Sequence, residues 1–197
     1  MELKLFNRWD MNVEIVDKGL KDYLTLKPIS VPRTGARYAR TRFWKSKYPI
    51  VERLINKLMV PGHRGKKHKI SSGHCCGKGV ECYNIVKKAF ELIEKNTNKN
   101  PVEVFIRALE NAAPREEVTT IEYGGAKYPQ SADCAPQRRI DIALRMMTQG
   151  AYQKTFNSKK KMHEGLADEI IKAYNLDSSS AAVTKKLELE RQADVSR

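Results

Sequence analysis

Between Arg33 and Lys69 the chain carries twelve of its 37 Lys and Arg residues and one acid, Glu52, a local charge of +11 against +14 for all 197 residues. The cations Arg33, Arg37, Arg40, Arg42, Lys45 and Lys57 are interleaved with Tyr38, Phe43, Trp44 and Tyr48, flat side chains that can stack or pack beside them. A stripe of one sign repels itself in a compact chain unless a polyanion neutralises it. Phosphates fit that role, because each Lys or Arg contact releases condensed counterions and so favours association. The chemistry expected is binding of RNA or DNA. The plainer alternative, a solvated face kept soluble by charge, would be better served by mixed signs.

Two further features carry the same chemistry. In the loop from Gly62 to Gly79, glycines let the backbone approach a sugar-phosphate chain, and Lys66, Lys67, Lys69 and Lys78 supply cations. Arg138 and Arg139 follow Pro136 at the start of an expected helix, where the helix dipole prefers acids. That local cost makes sense if both arginines clamp phosphate, in bidentate fashion.

Other chemistries fit less well. His63, His68, His74, Cys75, Cys76 and Cys82 invite a zinc reading. Zinc sites pair their ligands as two short couples a dozen or more residues apart, whereas these spacings are irregular and Cys75-Cys76 is not a C-x-x-C pair. No metal or other cofactor is expected. Gly62-His63-Arg64-Gly65-Lys66-Lys67 resembles a P-loop in composition only, lacking the preceding strand and the Ser or Thr after its Lys. Glu116-Glu117, beside Pro114 and Arg115, reads as a solvated turn. No nucleophile motif occurs, and an enzyme is not expected.

Composition bounds the setting. With 41% apolar residues, pI near 9.7 and a mean hydropathy of −0.59, the chain can build one core while committing its surface to an anionic partner. No apolar run approaches the ~18 residues a membrane helix needs, and Met1 to Asp10 does not read as a signal peptide. A cytoplasmic protein with reduced thiols and no membrane partner is the expectation.

The elements that must position these residues are mostly helices. Residues 1 to 32, with Leu5-Phe6, Trp9, Val13 and Ile15, read as an extended segment packed on the body, and the basic stretch after them as an arm ordered by its partner. Pro49 opens a helix whose Ile50, Val51, Leu54, Ile55 and Leu58 form one stripe, with Arg53 and Lys57 facing outward. A second helix spans about Val80 to Asn96, and a third starts from Asn100 as cap with Pro101 first. Val118 to Tyr123, Gly124-Gly125, and Ala126 to Ala132 read as a projecting hairpin, weakened at Pro129. Helices resume after Pro136 and after Lys159-Lys160-Lys161. A last one starts from Ser178-Ser179-Ser180 and frays beyond Glu188.

These landmarks occur in a recognisable order. They are Leu5-Phe6 with Trp9, Val31-Pro32, Arg37 to Lys47 and Pro49-Ile50-Val51-Glu52-Arg53-Leu54. Asn111-Ala112-Ala113-Pro114-Arg115-Glu116, Pro136-Gln137-Arg138-Arg139 and Lys185-Lys186-Leu187-Glu188-Leu189-Glu190-Arg191 follow. On these segments the chain resembles, from end to end, the small-subunit ribosomal protein seven family. The N-terminal extension, the loop from Gly62 to Gly79 and Tyr123-Gly124-Gly125 look like its archaeal-type branch.

The resemblance implies a mainly α fold: a bundle of about six helices, a protruding two-stranded β-ribbon and an extended basic N-terminal arm. The arm would occupy residues 1–48, and residues 49–197 would form the helical rRNA-binding domain, with the ribbon at about 117–132. It further implies a structural constituent of the small ribosomal subunit that binds the 3′ major domain of the rRNA, organises head assembly and reaches mRNA and E-site tRNA. Neighbouring head and platform proteins would be its other partners. Contacts to rRNA would fall to Arg33, Arg37, Arg40, Arg42, Lys45, Lys57, Lys66, Lys67, Lys69 and Lys78, with Arg115, Arg138, Arg139 and Arg145 around the ribbon base. Tyr123, Gly124, Gly125, Ala126, Lys127 and Tyr128 would approach tRNA or mRNA. Two rivals remain: a free-standing DNA reader, disfavoured because a helix-turn-helix needs a turn of only 3–4 residues, and a zinc-bearing RNA-processing enzyme.

Overall fold

Helix α1, Ile50–Leu58, follows Pro49 and presents Ile50, Val51, Leu54, Ile55 and Leu58 to the interior. This computed structural model describes residues 3–60 and 76–197. Among them come α2, Gly79–Thr97, and α3, Pro101–Ala112; then strands β1, Glu116–Tyr123, and β2, Ala126–Asp133; then α4, Pro136–Thr155, α5, Met162–Tyr174, and α6, Ala181–Val195. The class is mainly α with one two-stranded antiparallel sheet.

Local chemistry sets the helix ends. Asn100 Oδ1 accepts from the Val102 amide at 3.0 Å, with Pro101 in the first position, where its missing N–H costs nothing. Ser180 begins α6, and Asn98, at φ 52°, ends α2 in the left-handed conformation.

The centre of the body is α5, whose Leu166, Ala167, Ile170 and Ala173 are buried against α2, α3 and α4. Its approach to α4 is close: a Cβ on Gly165 would stand 2.6 Å from Thr155 Cγ2. Glu169, fully buried on α5, is satisfied from two sides. Lys154 Nζ donates to Oε2 at 2.6 Å, and Ser180 Oγ donates to Oε1 at 2.7 Å, so one carboxylate joins α4, α5 and the start of α6.

The core continues across position 48. Leu5, Phe6, Trp9, Met11, Leu20 and Leu24 are buried in the same cluster as the helices. Phe6 and Trp9 meet Phe90 edge to face, with centroids 6.3 and 5.9 Å away. The Ile50 amide donates to the Thr25 carbonyl at 3.2 Å, stitching this segment to the start of α1.

From residue 35 to 43 the backbone runs through turns and bends rather than an extended arm, with Gly35 and Ala36 at φ 63° and 62°. A 3-10 turn, Trp44–Lys47, then leads into α1. Thr34 fastens the segment's root, its amide and hydroxyl both donating to buried Glu52 Oε1 at 2.8 Å.

The ribbon pairs Glu116 with Asp133 through to Tyr123 with Ala126, one residue longer at each end than expected. Gly124 and Gly125, at φ 60° and 81°, supply the two left-handed residues its tight turn needs. Pro129 stands opposite Thr120 without breaking the ladder, as it can where both strands are edges. The C-terminus does not fray at Glu188: α6 runs to Val195 because it packs on β1, and Ala193 is fully buried.

Candidate nucleic-acid interface

Along α4, Arg138, Asp141 and Arg145 stand three and four residues apart and so share one face. Asp141 is the organising acid. Arg53 NH2 donates to its Oδ1 at 3.1 Å, and Lys45 Nζ reaches its Oδ2 in a short ion pair. Arg53 NH1 also donates to the Tyr23 carbonyl at 3.3 Å. This corrects the outward placement of Arg53. Arg53 is buried because α1 packs against both α2 and α4 and its guanidinium reaches back to the Tyr23 carbonyl.

Lys57, one turn beyond Arg53, is half-buried. Burial pulls its ammonium below the usual 10.5, and the charges of Arg145, Lys45 and Arg53 pull it further, against Asp141 alone. Four cations thus crowd around one carboxylate, a site short of negative charge. An anion such as a phosphodiester would relieve the repulsion and restore the lysine's proton affinity. Lys45, Lys57 and Arg145, widely separated in sequence, are brought together here. Arg145 belongs to this group and not to the ribbon base, since seven residues of helix carry it roughly 10 Å from Arg138.

The ribbon base is neutralised internally. Arg138 forms a fork with Glu117, its Nε 2.6 Å from Oε1 and its NH2 2.6 Å from Oε2, and this raises the arginine's pKa. Arg139, expected beside it as a phosphate clamp, is instead buried, donating from NH2 to Asp17 Oδ2 at 2.7 Å and from Nε to the Pro114 carbonyl at 3.0 Å. Protein acceptors therefore already offset the cost of two cations at a helix start. Arg115 is exposed, while its amide donates to Glu190 at 3.0 Å. Nearby Lys186 has its pKa lowered by burial, with Arg115 and Arg139 adding to the effect and Glu190 opposing it, and donates to the Asn111 carbonyl at 3.0 Å. Burial, then the Glu117 carboxylate, pushes the Cys134 thiol up to about 11, which disfavours the thiolate.

Of the remaining expected contacts, Arg33, Arg37, Arg40 and Arg42 are exposed along the turns before α1. Lys78 is exposed, 3.9 Å from Glu81. Lys66, Lys67 and Lys69 lie outside the described residues, as do His63, His68, His74 and Cys75; among the described residues no three His, Cys, Asp or Glu side chains could hold a metal. At the ribbon tip Tyr123, Gly124, Gly125, Ala126, Lys127 and Tyr128 are all exposed, Tyr123 at 82%. Sequence reading missed Asp141 and Lys186. The spacing of Arg138, Asp141 and Arg145 was the available signal for the first.

A helical body with a projecting ribbon and a face rich in cations defines a structural, nucleic-acid-binding class of protein. The sequence profile of the family described as "Ribosomal protein S7p/S5e" matches residues 20–197. The chain is also 51% identical over 198 residues to "Small ribosomal subunit protein uS7" of the archaeon Nanoarchaeum equitans (strain Kin4-M), with all of both chains covered. This chain belongs to the ribosomal protein S7 family: it is a structural component of the small ribosomal subunit and not an enzyme. Among the described residues no helix is long and apolar enough to cross a membrane.

Proposed function

We propose that the chain binds the 3′ major domain of small-subunit rRNA and organises assembly of the subunit head in the cytoplasm. The observation that carries this reading is the cluster of Lys45, Arg53, Lys57 and Arg145 around Asp141, where cations outnumber acids and a half-buried lysine has a lowered pKa. The exposed Arg33, Arg37, Arg40 and Arg42 extend the same face, with Arg115 and Arg138 flanking it at the ribbon base. Lys66, Lys67, Lys69 and Lys78 would add contacts from the loop, whereas Arg139 acts by holding the protein together. The ribbon tip, Tyr123 to Tyr128, would reach E-site tRNA and mRNA at the exit side of the decoding cleft, and the outer helices would meet neighbouring head and platform proteins. The exposure of the ribbon tip supports that use.

The test is chemical footprinting of purified protein on complete small-subunit rRNA. Protection confined to the 3′ major domain, lost when Lys57 and Arg145 are both replaced by Gln, supports the reading. Protection elsewhere, or indifference to the double variant, refutes it.

A further inference from the structure

Phe43 occupies an unexpected position. Its backbone is left-handed, at φ 67° and ψ −5°, a conformation that large side chains rarely adopt. Such a residue persists only where its surroundings enforce it. Here they do: its carbonyl accepts from Gln137 Nε2 at 3.2 Å, from the Ser46 amide at 3.2 Å and from Ser46 Oγ at 3.3 Å. Gln137 is itself buried at the start of α4 and donates a second bond to Ser46 Oγ at 2.9 Å. The rigid body thus fixes a strained turn.

What the turn displays is a ring. Phe43 keeps 63% of its surface exposed, with the Arg42 guanidinium 4.8 Å from the ring centroid. Next to it Trp44, 39% exposed, carries Lys47 Nζ 3.9 Å from its centroid. The cations set on these rings are Arg42 and Lys47; the chain has no acid between Arg33 and Val51, and the acid that reaches this stretch from α4, Asp141, is paired with Lys45 and Arg53.

Given the RNA-binding reading above, on which this rests, we propose that Phe43 is a stacking platform for an unpaired RNA base. An aromatic ring stacks on the face of any base, and cations close by, such as the Arg42 guanidinium over the Phe43 ring, neutralise the phosphates on either side of that nucleotide. A protein partner would explain the apolar ring but not the cations set against it and its neighbour. An A-form duplex would satisfy the cations but keeps its bases stacked within the helix, out of reach of the ring. The occupant that satisfies both features is single-stranded RNA, a loop, bulge or end.

The experiment compares full-length protein with its Phe43→Ala, Phe43→Gly, Phe43→Trp and Arg42→Gln variants. The probes are oligo(A) and an RNA duplex with the same number of phosphates, at several salt concentrations. Phe43→Ala and Phe43→Gly should weaken oligo(A) binding roughly tenfold to a hundredfold, the range of losses from removing one stacking residue. They should leave the salt slope and duplex affinity unchanged. Phe43→Trp should retain oligo(A) affinity, and Arg42→Gln should lower the salt slope on both probes. Phe43→Gly removes the ring while relieving the backbone, so an undiminished thermal midpoint separates lost stacking from lost fold. Wild-type oligo(A) affinity in Phe43→Ala would overturn the proposal, leaving the ring to a protein contact. An equal loss on the duplex would also overturn it, because the ring would then be shaping the arm. Should the wild type bind neither probe but still protect its rRNA in the footprinting test, the stacking proposal alone fails; should it bind no RNA at all, the RNA-binding reading fails with it.

Discussion

Arg139 and Asp17, 122 positions apart in the chain, form an ion pair of 2.7 Å that ties the N-terminal segment to the first turn of α4. The same guanidinium reaches the Pro114 carbonyl at 3.0 Å, just before the ribbon. One buried side chain therefore joins three parts of the molecule.

Replacing Arg139 by Ala should destabilise the fold without acting on RNA directly. Breaking a fully buried pair costs about 3–5 kcal/mol, and Asp17 retains some access to water, so a loss of about 2–3 kcal/mol in denaturant unfolding is expected. The pair also has a pH signature. Burial pushes the Asp17 carboxyl up, but the Arg139 hydrogen bond, the Gly19 amide and the Arg139 charge outweigh it and hold it below the usual 3.8. Its stabilisation is therefore complete above about pH 4 and lost as pH falls through the lowered value. The gap between wild type and Arg139→Ala should narrow only in that acid range; a constant gap down to the acid limit would count against the assignment.

Gly150→Ala sets two magnitudes against each other. Alanine in mid-helix gains about 1 kcal/mol over glycine. At this position, however, its Cβ would lie 2.8 Å from Ala181 Cβ and 2.9 Å from Glu169 Cδ. Overpacking costs about 1–3 kcal/mol, and here it also displaces a buried carboxylate from Ser180 and Lys154. The clash should win, lowering the thermal midpoint by about 2–8 °C. A rise would mean that α6 moves aside freely.

How much of this was legible in the chain divides along the range of the interactions. The helices with apolar periodicity and local caps, such as α3 from Asn100, read directly, as did the Gly124-Gly125 turn, because their causes lie within a few residues. The partners of Arg53 and Arg139 did not read, since their acids stand 88 and 122 positions away and a guanidinium looks exposed until its acceptor is found. The end of α6 misread for the same reason: sparse local hydrophobicity suggested fraying, and packing on β1 decided otherwise. Within the site, the surplus of cations was evident; their convergence on Asp141 was not.

Shortening the ribbon by removing residues 123–128 should leave helix content and thermal midpoint near wild type. The tip is exposed, and the anchors of the base, Glu117 with Arg138 and Glu116 with Arg197, remain. Reconstituted subunits should show altered E-site tRNA retention. Unfolding on deletion, or unchanged tRNA handling, would contradict this.

Lys57→Arg offers a titration test. Because the lysine's proton affinity is lowered in the free protein, RNA affinity should decline as pH rises toward 10.5, and the decline should begin earlier in wild type than in Lys57→Arg, whose charge does not titrate. Binding to 2′-O-methyl RNA, which resists alkaline cleavage, would be followed by anisotropy. Superimposable profiles would place Lys57 away from the phosphates.

The most direct measurement of the central claim is the salt dependence of affinity for a 3′ major domain rRNA fragment, in wild type and in Lys45→Gln, Lys57→Gln and Arg145→Gln. If the cationic face meets six to ten phosphates, wild-type affinity falls roughly 10³–10⁵-fold between about 50 and 200 mM salt. Each substitution then reduces the logarithmic slope by about one. A shallow wild-type slope, or three variants with the wild-type slope, would show that the cations gathered around Asp141 face water and not RNA.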